Sequence, residues 1–190
     1  DVMAAGDKFG YAVAVDYSGN NIVVSSPQAD INYQNQGSAY IFEYKNDSSV
    51  YEYRIIQKLE SFEQFPNEFF GQSICISPNT GVIAVGANNS PYVQPTIFDN
   101  SQTSFDEQRT SFKNFDGFTG SVYVFEKKEH TYYLTEKLDA DLSLNESFGT
   151  SVSCEENVVV VGSPDYIEPI TEENNIVFTG TKVGMVRMFK

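Results

Sequence analysis

The 190 residues predict an all-β protein made of stacked four-stranded antiparallel sheets, and three observations carry that prediction. A phrase of Phe-Gly, an alternating apolar strand and a β-branched run closed by small residues occurs three times, at 9–27, 70–88 and 148–164. Each copy is followed by a Gly-led strand: Gly37-Ser38-Ala39-Tyr40-Ile41-Phe42, Gly120-Ser121-Val122-Tyr123-Val124-Phe125 and Gly184-Met185-Val186-Arg187-Met188-Phe189. Helical periodicity never persists beyond a turn or two. A unit repeated in this way is one supersecondary element that buries its apolar sides against its neighbours.

The elements follow in order within each repeat. The first strand alternates after Phe-Gly, as in Tyr11-Ala12-Val13-Ala14-Val15. The second is a nearly continuous apolar run (Ile22-Val23-Val24, Ile83-Ala84-Val85, Val159-Val160-Val161), the pattern of a strand covered on both faces. The third places Phe42, Phe125 and Phe189 in register, and its opening glycine suits a sharp entry or bulge where a Cβ would crowd. The fourth carries Ile55-Ile56-Gln57-Lys58-Leu59 and Leu134-Thr135-Glu136-Lys137-Leu138. Four antiparallel strands per repeat make a β-propeller blade, with the Phe of each Phe-Gly as an aromatic plug between sheets.

About three blades are expected. Residues 1–8 form the tail of a preceding blade and an entry loop; 9–59 are blade 1; 60–69 connect. Blade 2 is 70–138 with a long insertion at 88–119, then 139–147 connect. Blade 3 is 148–190 and lacks its fourth strand. Propellers close with four to eight blades. The expectation is therefore a piece of a larger ring, or a ring completed by two or more copies. The first residue is Asp1 and not Met, which fits a processed or partial product.

Composition bounds the function. A net charge of −14 argues against nucleic acid, whose phosphates need basic patches. No stretch reaches the apolar length of a membrane span, and no signal-peptide pattern opens the chain. Cys75 and Cys154 lie in first strands of different repeats, one residue out of phase relative to their Phe-Gly. Period-two alternation sends them to opposite faces, so separate buried thiols are expected.

The literal Phe-Gly pairs, with the degenerate Ser25-Ser26-Pro27, Gly86-Ala87-Asn88 and Gly162-Ser163-Pro164, resemble the FG-GAP repeat of integrin α-subunit propellers and related surface proteins. The match covers nearly the whole chain, and the Gln-Lys-Leu fourth strand looks closer to the non-integrin branch. The resemblance implies a seven-bladed, non-catalytic propeller, extracellular or at the cell surface, used for adhesion or assembly. Family members often carry a calcium loop, Asp-x-Asp/Asn-x-Asp-Gly-x-x-Asp, between strands one and two. Here Asp16-Tyr17-Ser18-Gly19-Asn20-Asn21, Ser77-Pro78-Asn79-Thr80-Gly81 and Glu155-Glu156-Asn157 are too short and too poor in carboxylates. No cofactor is expected in these blades, although further blades of such a ring could hold calcium.

Alternating strand directions put loops 2–3 and 4–1 on one face, and the long loops 28–36, 88–119 and 165–183 all lie there. The middle one carries Tyr92, Phe98, Phe105, Arg109, Phe112, Phe115 and Phe118, an aromatic set that either anchors a protein partner or folds back as a small cap. The same face gathers Glu63, Glu68, Asp139, Asp141, Glu146, Asp165 and other acids, which would draw a basic partner or a divalent ion. Asp139 and Asp141 are weak metal candidates, since the turn glycine and closing acid are absent. Asn46, Asn88 and Asn145 head Asn-x-Ser sequons in predicted loops and are glycosylation candidates.

Catalysis finds no foothold. His130, the single histidine, sits in a charged turn, and no phosphate loop, zinc spacing or nucleophile elbow occurs. A binding module is the first expectation. A structural subunit of an extracellular filament, coat or matrix is the second, and an accessory domain of a larger enzyme is the third.

Overall fold

The computed structural model describes residues 4–47, 50–93, 115–140, 146–172 and 175–190. These residues form strands and turns without a helix. Blade 1 is a four-stranded antiparallel sheet of β1 (Val13–Val15), β2 (Asn21–Ser26), β3 (Ser38–Asp47) and β4 (Val50–Leu59), in that spatial order. Blade 2 joins β5 (Ser73–Ile76), β6 (Ile83–Ala87), β9 (Ser121–Lys128) and β10 (Thr131–Asp139) in the same inside-to-outside order. Between β6 and β9 stands a separate hairpin, β7 (Pro91–Val93) with β8 (Phe115–Phe118). Blade 3 has three strands, β11 (Ser151–Glu155), β12 (Val158–Ser163) and β15 (Met185–Phe189), and its own inserted hairpin, β13 (Ile167–Glu172) with β14 (Asn175–Lys182). This is the predicted all-β propeller architecture. The long 2–3 connections differ from plain loops in carrying these hairpins.

The repeat is faithful down to register. Pairing in blade 1 skips Ile56 between Ile55 and Gln57, and pairing in blade 2 skips Thr135 between Leu134 and Glu136. Those are equivalent positions in the two fourth strands, so both blades bend their outer strand by the same bulge. The crowding expected at the third-strand glycine is real. Gly37 and Gly120 have φ of 88° and 87°, and a Cβ at either would overlap the carbonyl oxygen of Phe70 or Phe148. Glycine is needed there both for its backbone conformation and for the close approach.

Each blade has two unlike faces. Cross-strand partners share a face, so the pairings Ile74–Val85–Tyr123 and Ile76–Ile83–Phe125 define one side of blade 2. This bulky side packs with Val23, Ala39, Ile41 and Leu59 of blade 1 and holds Phe70 fully buried. The other side of blade 2 shows Cys75, Ala84, Val122 and Val124, which pack against Phe148, Val159 and Val161 of blade 3. A bulky face thus always meets a small-residue face. Burying a phenylalanine such as Phe70 or Phe148 in this way contributes about 1.5–3 kcal/mol.

Cys75 and Cys154 form a disulfide, with Cα atoms 5.8 Å apart, which corrects the expectation of separate thiols. The alternation argument was sound but applied to one sheet. Cys75 is on the small-residue face of blade 2 and Cys154 on the bulky face of blade 3. Opposite faces of successive blades are the two that meet, so being out of phase brings the sulfurs together.

Candidate protein-interaction face

The loop face is built on two buried carboxylates. Glu68 and Glu146 each precede the Phe of a Phe-Gly by two residues, and both are fully buried. Glu68 accepts hydrogen bonds from Ser61 Oγ (2.5 Å), the Phe65 amide (3.3 Å), Tyr123 Oη (2.6 Å) and Ser90 Oγ (3.2 Å). It therefore fastens the 60–69 connection and the start of the β7 hairpin to the third strand of blade 2. Burial, with the neighbouring Glu68 and Glu63 charges, pushes the Tyr123 phenol well above its ordinary value, so it remains a donor.

Glu146 has the same place in blade 3 with a different partner. The Arg187 guanidinium pairs with both of its oxygens, Nη2 lying 3.2 Å from Oε2, and Ser163 Oγ donates to it at 3.2 Å. Arg187 also stacks 5.5 Å from the ring centres of Phe148 and Tyr166. Tyr123 and Arg187 both stand three residues after the third-strand glycine, so the device is one position pair with two chemistries. A buried ion pair of this fork geometry is held by its bidentate hydrogen bonds.

These contacts correct the picture of an acidic face open to solvent. Glu68 and Glu146 point inward. Lys137 Nζ lies 2.7 Å from Glu63 and 3.0 Å from Asp139, and Lys182 lies 2.7 Å from Asp165. Burial raises the Glu63 carboxyl even though Lys137 opposes the shift; burial likewise opposes the Lys137 ammonium, which Glu63 and Asp139 nonetheless hold above its ordinary value. The Lys182 and Ser147 hydrogen bonds lower the half-buried Asp165 carboxyl. The recurrence of an acid at one offset, Asp7, Glu68 and Glu146, was the signal that could have marked these side chains as structural.

Of the predicted partner-binding residues, Tyr92 and Phe115 fall in β7 and β8, and Phe118 is exposed at the end of β8. Phe98, Phe105, Arg109 and Phe112 lie outside the described residues, as do Asp141 and Asn145. Asp139 accepts from Ser121 Oγ at 2.6 Å besides its contact with Lys137. Asn46 lies in β3, paired with Tyr51, and not in a loop. Asn88 is part-buried with its amide 3.5 Å from Thr150 Oγ1, and its sequon hydroxyl, Ser90, is buried on Glu68. His130 is exposed at the β9–β10 turn.

On the opposite face, Asp16 is occupied by its own loop. It accepts from Ser18 Oγ, the amides of Asn20 and Asn21, and the Asn21 side chain at 2.7–3.2 Å. Burial would raise its carboxyl, but these donors outweigh it and hold the group below its ordinary value. Among the described residues no three His, Cys, Asp or Glu side chains converge as a metal site, and no helix is long and apolar enough to cross a membrane.

Repeated four-stranded blades packed bulky face to small face, with one loop face fastened by buried carboxylates, define a β-propeller protein. Residues 1–42 match the family model of the FG-GAP repeat, which supports an FG-GAP repeat protein. No curated protein matches the chain. Blades of this family generally serve protein interaction.

Proposed function

We propose that the chain is a non-catalytic protein-interaction module of an extracellular or cell-surface FG-GAP propeller, binding its partner through the face of loops 2–3 and 4–1. The observation that carries this reading is the β7–β8 insertion. It stands outside the blade sheets, is fastened at its base by Ser90 on Glu68, and presents Phe118 to solvent. Aromatics displayed on a rigid frame are the usual anchors of protein interfaces. The interblade disulfide supports an oxidising compartment, because such bonds rarely persist in the cytosol. Adhesion is the role that these features fit best, with a partner whose basic groups complement the acids left exposed.

Removing residues 92–116 together with Phe118→Ala tests the reading. Pro91 pairs directly with Phe118 across the hairpin, so the cut ends are already neighbours. The shortened protein should keep the melting transition of the parent and lose binding to the partner recovered by cross-linking from native extract. Undiminished binding would place the interface elsewhere.

A further inference from the structure

The acceptor asparagines of two Asn-x-Ser sequons, Asn46 and Asn88, sit in opposite surroundings. Asn46-Asp47-Ser48 begins at the far end of the β3–β4 hairpin. β3 and β9 both start one residue after their glycine, yet β9 stops at Lys128 while β3 runs two residues further, to Asp47. Asn46 therefore stands where blade 2 has already turned, at the position of Glu129. Glu129 is exposed even with blade 1 packed against that side of blade 2. The exposure of Asn46 thus follows from the length of its own hairpin, and a blade of the same build beside it would leave it open.

The residue opposite Asn46 is suited to a sugar. Asn46 pairs with Tyr51, so the two side chains leave one face of the hairpin with Cβ atoms about 4.5–5.5 Å apart. Tyr51 is 69% exposed and sets an apolar ring with a polar tip beside the carboxamide. The C–H face of a pyranose packs on such a ring while its hydroxyls stay in water.

Asn88 is enclosed. Its Nδ2, the atom to which a glycan attaches, lies 3.5 Å from Thr150 Oγ1 of blade 3, and its Oδ1 is buried. Thr150 is itself held, donating to the Ser147 carbonyl at 2.7 Å. Ser90, the hydroxyl of that sequon, is fully buried and donates to Glu68 at 3.2 Å. A sugar on Asn88 would part the joint between blades 2 and 3.

We propose that Asn46 carries an N-linked glycan whose first sugar rests on Tyr51, and that Asn88 carries none. The proposal rests on the extracellular reading, which supplies the donor, a lipid-carried oligosaccharide diphosphate, and its transferase. The bond made joins Asn46 Nδ2 to the anomeric carbon of the sugar. The bond broken is that carbon's link to the diphosphate, which leaves with the lipid as the amide gives up one proton. The 3–4 turn lies opposite the face of loops 2–3 and 4–1, so the glycan leaves the proposed partner surface clear.

The test uses the 190-residue chain with Asn145→Gln, secreted from cultured animal cells behind a cleavable signal peptide. Peptide N-glycosidase should lower its mass by one glycan, and peptide mapping should find Asn46 occupied and Asn88 bare. Asn46→Gln should abolish the mass shift. Glycan removal should lower the melting transition of the parent and leave that of Tyr51→Ala unmoved; equal changes in both would overturn the contact with Tyr51. For a chain that is not secreted, translation into microsomes reads the same acceptor. There the Asn88→Gln/Asn145→Gln chain should gain one glycan and lose it when Asn46→Gln is added. A secreted chain without a glycan, a glycan on Asn88, or no gain in microsomes would overturn the proposal. In the native protein, a bare Asn46 beside an intact Cys75–Cys154 bridge would overturn the glycan alone. A bare Asn46 with both cysteines reduced would overturn the extracellular reading with it.

Discussion

Tyr123 donates its buried phenol to Glu68 across 2.6 Å, linking the third strand of blade 2 to the loop that enters it. The hydroxyl is one of four donors on a carboxylate that has no access to water. Tyr123→Phe should therefore cost about 1–3 kcal/mol, the range for stranding a buried polar group. Urea unfolding measures it. In the Tyr123→Phe/Glu68→Gln double variant the loss should fall short of the sum of the singles, because the two side chains act as a unit.

Glycines with the same backbone angle should respond differently to one methyl group. Gly10 and Gly120 both have φ of 87°, but only a Cβ at Gly120 meets a backbone carbonyl. Gly10→Ala should cost roughly 1–2 kcal/mol for left-handed backbone alone. Gly120→Ala should add a further penalty of about 1–3 kcal/mol for overpacking. Thermal melts of the two variants side by side decide the point.

Disulfide loss should be felt at the joint of blades 2 and 3. The Cys75→Ser/Cys154→Ser variant should be less stable by about 2–5 kcal/mol, the usual cost of removing a native bridge. Thiol labelling of the unfolded, unreduced parent should find no free cysteine.

The acid limb of stability should carry one contribution of unusual sign. Glu63 is raised above its ordinary 4.5 chiefly by burial, with Lys137 pulling the other way. Its folded form then binds more protons than the unfolded chain between 4.5 and its raised native value, so its share of stability falls as pH rises through that window. Asp16, held low by its loop donors, contributes the opposite slope: its share is present above about 3.8 and is lost as pH falls through the lowered value. Glu63→Gln should remove the first slope and leave the second, as read by unfolding titrations from acid to neutral pH.

The blade was legible in the sequence because its signals are local. Period-two alternation in β1, β-branched runs in β2 and β6, and a glycine at a fixed offset before Phe42 and Phe125 all act within a few residues. What escaped was set between blades. Whether Cys75 and Cys154 meet depends on which face of one sheet looks at which face of the next, and no single strand encodes that. Glu68 and Glu146 read as solvent-facing loop acids because their partners, Tyr123 and Arg187, are 55 and 41 residues away. The aromatic insertion gave only its composition. Its long reach placed Tyr92 and Phe118 on a hairpin of their own, where local pattern had offered no strand.

The bridge from Cys75 to Cys154 encloses the span of chain between them, its ends 79 positions apart in sequence. Tension applied through the two termini would bypass that span, travelling through sulfur from β5 to β11. The first seam to open under load is then the one between blades 1 and 2, where the Gln57 side chain clasps the backbone of Tyr132 with two hydrogen bonds of 2.7 and 2.8 Å. In a molecule exposed to pulling or shear, strands β6, β9 and β10, which lie inside the bridged span, would be spared the load.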